Sequence, residues 1–193
     1  MKAYTSNNIR NIAVLGHGGK GKTTLCEAML YLAGATDRLG KVADGNTVLD
    51  FDAEEKRRKS SVSSAMAAIE WDNTKLNIID APGLFDFENG SAEAVRAAEA
   101  VLIVTSAGSG VDVGTEKAFK AAEKRGLAKF FAITKTDSDH RSFYKTFEAL
   151  KEVYGNKLCP TIVPYMEGNI TKSYVNLMTG MAYEYDENGK ATK

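Results

Sequence analysis

The residues Gly16-His17-Gly18-Gly19-Lys20-Gly21-Lys22-Thr23 follow directly on the apolar stretch Ile9–Leu15. A glycine-rich loop that leaves a buried strand and opens a helix admits few folds. The pattern G-x-x-x-x-G-K-[ST] needs glycine because backbone N–H groups must wrap closely around an anion at the positive end of a helix. Lys22 is then placed to reach the β- and γ-phosphates of a nucleoside triphosphate, and Thr23 to offer its hydroxyl to Mg²⁺. His17, Gly18, Gly19, Lys20, Gly21 and Thr24 complete the cradle, with the Lys20 side chain expected to point to solvent. The helix itself is predicted by Leu25, Ala28, Met29 and Leu32 on one face, with Gly34 where a C-terminal cap belongs.

The rest of the chain places this loop in a domain of ordinary make-up. With 193 residues, 44% of them apolar, the chain can bury a core without disulfides or metals. Lys+Arg and Asp+Glu are both 25, so the overall charge argues against a DNA-binding surface or a membrane-bound one. Cys26 and Cys159 have neither metal-ligand spacing nor a partner framework, which fits a reducing cytoplasm. No signal sequence or long apolar span occurs, and a monomeric domain is expected.

Residues 34–64 form a long polar stretch, the kind of loop that carries function inside a compact domain. Residues 65–71 and 75–80 read as two strands joined by Asp72-Asn73-Thr74, hence an antiparallel hairpin. A helix from about Ser91 leads to a strand at 100–105, then a helix at 115–125 closed by Gly126. A strand at 130–134 follows. Phe143, Phe147 and Leu150 mark the core face of the next helix, and 159–164 predicts a last core strand. Alternation after an initial hairpin predicts a three-layer α/β/α domain with a mostly parallel sheet and one antiparallel edge strand. At the end, residues 182–185 read as a strand and Asp186-Glu187-Asn188-Gly189 as its turn, with half of a partner strand after it. That half hairpin predicts an N-terminal fragment.

Two further segments name the ligand. In Ala132-Ile133-Thr134-Lys135-Thr136-Asp137, the Asp137 carboxylate can accept from the ring N–H and exocyclic amine of guanine, with Lys135 lying over base and sugar. Adenine offers the wrong donors and leaves the carboxylate unpaired, a penalty of about 1–3 kcal/mol. Asp80-Ala81-Pro82-Gly83 ends a strand; Asp80 is placed to hold Mg²⁺ through water, and Gly83 to give its N–H to the γ-phosphate.

With these three segments in order, the chain resembles the translational GTPases, in particular elongation factor G and elongation factor G-like proteins. Arg58-Lys59-Ser60-Ser61-Val62-Ser63-Ser64-Ala65 is similar to the family's first switch, and residues 80–87 to its second. Arg96-Ala97-Ala98-Glu99-Ala100, Gly110-Val111-Asp112-Val113-Gly114-Thr115-Glu116 and residues 164–185 extend the likeness over nearly the whole chain. The resemblance implies a P-loop G domain, six strands in the order 2-3-1-4-5-6, over residues 1–181 but incomplete at its C-terminal end. Residues 182–193 are then the start of a truncated insertion. It implies GTP/GDP and Mg²⁺ as ligands, with Thr23, Ser61 and Asp80 at the metal, and Lys22 and Gly83 as catalytic groups in hydrolysis. It also implies a cytoplasmic factor whose full-length form drives a translocation-like step on the ribosome.

The chain departs from the family's pattern in places that bear on chemistry. Leu84 stands where the family's second switch carries the His that positions the attacking water, and loss of such a group typically costs about 10²–10⁴ in rate. Very low intrinsic turnover is therefore expected. Ser61, with Ser60 beside it, stands for the usual first-switch Thr; Thr134 replaces Asn; Gly19 falls where an Asp is usual. A GTP/GDP-sensing module that hydrolyses slowly or not at all, and a ribosomal protection GTPase of the tetracycline-resistance type, are the alternative readings.

Overall fold

The computed structural model describes residues 2–136, 142–168, 170–186 and 191–192. The chain divides into two compact units: Met1–Ser106 with Asp112–Thr134, and Ala107–Val111 with Lys135–Lys193.

The first unit is built on a five-stranded sheet. Its strands are β1 (Ile9–Leu15), β2 (Ala65–Trp71), β3 (Thr74–Asp80), β4 (Ala100–Ser106) and β5 (Ala128–Thr134), in the order β2-β3-β1-β4-β5. β1 pairs in parallel with β3 and β4, β4 with β5, and only the edge strand β2 runs antiparallel. The hairpin turns tightly at Asp72 and Asn73, with φ of 44° and 57°, the left-handed pair that matches strand twist.

Alternation along the strands sorts the core into two layers. Val14, Ile78 and Val104 face helix α1 (Lys22–Leu32) and pack on Cys26 and Leu30. Ala13, Leu15, Ile79, Val101 and Ile103 face the other way, against Ala94 and Val95 of α3 (Glu88–Ala97) and Ala118 and Ala122 of α4 (Val113–Lys124). Each fully buried side chain of Leu or Ile size contributes roughly 1.5–3 kcal/mol. The result is the expected three-layer α/β/α arrangement.

Order reverses at β1, which has β3 on one side and β4 on the other. The crevice beyond the carboxyl end of such a strand is where open α/β sheets bind ligands. The glycine-rich loop leaves β1 at that point, and Asp80 and Thr134 end β3 and β5 on the same edge.

The polar stretch at 34–64 contains a helix the hydrophobic pattern does not reveal, α2 (Ala53–Arg58). The Asp52 side chain accepts from Glu54 N, and Glu55 reaches back to Asp52 N, a reciprocal capping box. The spacing Asp-x-x-Glu is its sequence signal.

The second unit carries α5 (Phe143–Tyr154) and a four-stranded antiparallel sheet, β6 (Ile162–Glu167), β7 (Ile170–Asn176), β8 (Met181–Tyr185) and β9 (Ala191–Thr192). This corrects the expected sixth strand of the main sheet: residues 162–167 pair with β7 instead. Pro164 has no N–H for a central ladder and is at home on β6, an edge strand. The expected terminal hairpin is present as the pair β8–β9; residues 187–190 between them lie outside the described set.

Candidate functional site

The first glycine of the loop is fixed by geometry. Gly16 has φ 137°, and a Cβ there would run into the carbonyl of Val104 on β4, so only glycine crosses at this height. From there the loop delivers Lys22 and Thr23 to the first turn of α1, both buried, with Thr24 exposed beside them. Lys22 Nζ donates to the carbonyl of His17 at 3.1 Å, bridging the mouth of the loop. Burial holds its pKa below the ordinary lysine value, opposed by the nearby Asp80 carboxylate.

Thr23 is the hub of an oxygen cluster. Its Oγ1 donates to Asp80 Oδ2 at 2.6 Å and lies 3.2 Å from Ser61 Oγ. Ser61 in turn donates to Asp50 Oδ1 at 2.7 Å. With both carboxylates ionised, each hydroxyl's single hydrogen is committed to its own carboxylate. The Thr23 and Ser61 oxygens then converge with lone pairs only. Among the described residues, Asp80 Oδ1 and Asp50 Oδ2 are buried and accept no hydrogen bond. Four hard oxygens with two orphan acceptors fit a divalent cation such as Mg²⁺. Among the described residues no three His, Cys, Asp or Glu come together as a metal-binding group.

Burial pushes Asp80 up to about 7 against the opposing pull of Thr23 and Lys22, and raises Asp50 as well. Asp50 is a group that the sequence reading misses. It sits in an unpatterned polar stretch, 3% exposed, and no motif marks it. Of Ser60 and Ser61, Ser61 is the one beside Thr23.

The turn after β3 lies on the loop. A Cβ on Gly83 would collide with Lys22 Nζ and come within 2.8 Å of Gly16 O and Gly18 N; position 83 has no room for a side chain. Leu84 follows and packs over Gly18, where an added Cβ would be 2.9 Å from Leu84 Cδ2. Phe85 faces the His17 ring at 5.5 Å between centroids, and Gly114 of α4 packs against the His17 backbone. His17 is thus held by packing on both sides.

Lys20 departs from expectation. Its ammonium does not point to solvent but pairs with Asp112 at 3.3 Å, the two side chains 16% and 17% exposed. Asp112 also caps α4 by accepting from Thr115 N and Oγ1, so a carboxylate already fixed by the helix draws the lysine down. Gly19 beside it has φ 72°.

Thr134 reaches the loop from β5. Its hydroxyl donates to Lys20 O at 2.7 Å and approaches Thr105 O at 3.1 Å. The shorter side chain still ties the strand end to the glycine-rich loop. Lys135 comes next, exposed, with φ 56°. Asp137, which carries the guanine reading, lies outside the described residues.

The family model of the elongation factor Tu GTP binding domain matches residues 7–190. An elongation factor G-like protein of Mycobacterium tuberculosis is 34% identical over 185 residues, 96% of this chain and 25% of that protein. A mitochondrial ribosome-releasing factor 2 of Debaryomyces hansenii is 34% identical over 167 residues, 86% of this chain and 19% of its own length. A crystal structure from Thermus thermophilus superposes with a TM-score of 0.89 at 35% identity, over 96% of this chain and 28% of that one. The chain spans about a quarter or less of the length of these curated relatives.

Proposed function

Because this chain belongs to the elongation factor Tu GTP-binding-domain family, we propose that it is the nucleotide-binding domain of an elongation factor G-like translational GTPase that binds GTP with Mg²⁺ and hydrolyses it slowly. The observation that carries the reading is the convergence of Thr23 and Ser61 oxygens between two buried carboxylates, beside Lys22 and the glycine-rich loop.

In this reading the N–H groups of residues 17–24 cradle the phosphates, and Lys22 turns from the His17 carbonyl to the β- and γ-phosphates. Lys135 and Asp137 recognise guanine. Thr23 and Ser61, with Asp80 and Asp50 beside them, would hold Mg²⁺, and the ion would screen charge on the transferring phosphoryl group. Gly83 N–H takes the γ-phosphate, so that two segments are ordered by GTP and released after hydrolysis. Attack by water is in line, and Lys22 stabilises the charge that spreads over the γ-oxygens. In the whole protein this switch would act on the ribosome, in the cytoplasm.

Leu84 favours one second reading, a sensing module that holds GTP or GDP and hardly cleaves it. Its packed hydrocarbon beside Gly18 neither orients water nor takes a proton. Single-turnover GTP hydrolysis with and without ribosomes separates the two. Slow but measurable wild-type cleavage, rising about 10²-fold in Leu84→His with GDP affinity unchanged, is expected of the GTPase. No cleavage in either protein would leave the sensing module, and wild-type cleavage that Leu84→His does not accelerate would remove Leu84 as the limiting feature.

A further inference from the structure

The stretch between Asp50 and Ser61 is held by a buried carboxylate that forms no ion pair among the described residues. Glu55 is 1% exposed. Its Oε2 accepts from Asp52 N at 3.2 Å, and its Oε1 from Val62 N at 2.9 Å and Ser63 N at 3.2 Å. The three donors lie on both sides of the same excursion: Asp52 two residues after Asp50, Val62 one residue after Ser61. Glu27 of α1, 0% exposed, does the like upstream, accepting from Val48 N at 2.8 Å and Leu49 N at 3.1 Å.

A buried carboxylate is costly unless its oxygens accept hydrogen bonds. The backbone that satisfies Glu55 is therefore fixed by it. We propose that Glu55 is a positioning residue for the cation site: it gathers N–H groups from the two ends of the 50–61 excursion and so sets Asp50 against Ser61, and Ser61 against Thr23. The proposal rests on the reading of that oxygen cluster as the Mg²⁺ site of a GTP-bound switch.

Position 55 also has a narrower role, the cap of α2, and chemistry separates the two. Both Glu oxygens accept, whereas Gln offers one acceptor and one donor group. Glu55→Gln can satisfy Asp52 N or the Val62 and Ser63 pair, never both. A helix cap alone would survive that exchange; the clamp would not.

The experiment has two arms. Without nucleotide, hydrogen exchange is followed at Asp52, Val62 and Ser63 in the wild-type protein and in Glu55→Gln. Protection in the wild type that falls about tenfold or more in the variant, at Asp52 or at the Val62 and Ser63 pair, is expected, together with faster tryptic cleavage at the exposed Arg57 and Arg58. With nucleotide, Mg²⁺ is titrated against bound GTP analogue and bound GDP. Glu55→Gln should raise the Mg²⁺ needed to retain the GTP analogue about tenfold, the scale of one lost charge-assisted hydrogen bond, while GDP affinity stays within about twofold. Free exchange at Val62 and Ser63 in the wild type overturns the clamp, and needs no variant to fold. So does an unchanged Mg²⁺ requirement, or equal weakening of both nucleotides. A wild-type protein that binds neither nucleotide overturns the proposed function instead, and the exchange arm still decides the clamp.

Discussion

Leu84 and Asp80 sit a few residues apart and illustrate two fates of a site residue. Leu84 lies against Gly18 in the packing of the turn after β3, and that its side chain is a hydrocarbon is readable from the sequence. Asp80 carries a property the sequence hides. Its burial at the end of β3 raises the carboxyl to about 7 from 3.8, and only the fold brings Asp50 near it. A folded-state pKa above the unfolded one means that folding takes up a proton, so stability falls as pH rises between about 4 and 7. Without metal, the advantage of Asp80→Asn over the wild type in thermal melts is expected to grow across that window and then level off. A difference that is flat with pH would contradict the burial of an ionisable Asp80. Asp50 is invisible to sequence reading because a single acidic residue in a charge-dense stretch has no periodicity or spacing to mark it.

Among the elements, β1 and β4 announce themselves by apolar runs whose residues are buried on both faces, Ala13 to Leu15 and Val101, Ile103 and Val104, and the hairpin at Asp72-Asn73 is signalled by its turn residues. The partner of β6 is not legible, since an apolar run bounded by Pro160 and Pro164 is equally apolar in a core strand and on a sheet edge. Helix α2 is hard to see because it has about one turn and a half and no apolar face; its capping box is the available sign. The N-terminus of α4 joins element to site. Asp112 both caps the helix and holds Lys20. Asp112→Ala should lower stability by about 1 kcal/mol through the lost cap, measured by urea unfolding, whereas Asp112→Asn should keep most of the cap and release only Lys20. Equal losses in both variants would mean that the ion pair, not the cap, dominates at this position.

At the scale of the whole molecule, the net charge of zero and the ordinary composition say little, and among the described residues no helix is long and apolar enough to cross a membrane. The three-layer first unit, its reversal of strand order at β1 and the loop that leaves there are legible because they follow from local rules. Of the second unit's four-stranded sheet only the β8–β9 hairpin is, through its turn residues; that β6 and β7 pair with each other is marked by no local pattern. Occupation of the site by a guanine nucleotide with Mg²⁺ is the central claim. It is tested most directly by displacement of a fluorescent GDP from the purified protein by unlabelled GDP and by ADP, with Mg²⁺ and with chelator. Displacement by GDP is predicted at concentrations at least about 100-fold below those of ADP, the discrimination expected of a carboxylate matched to guanine's donors, with weaker binding once Mg²⁺ is removed. Equal displacement by ADP and GDP, or binding indifferent to the chelator, would contradict it.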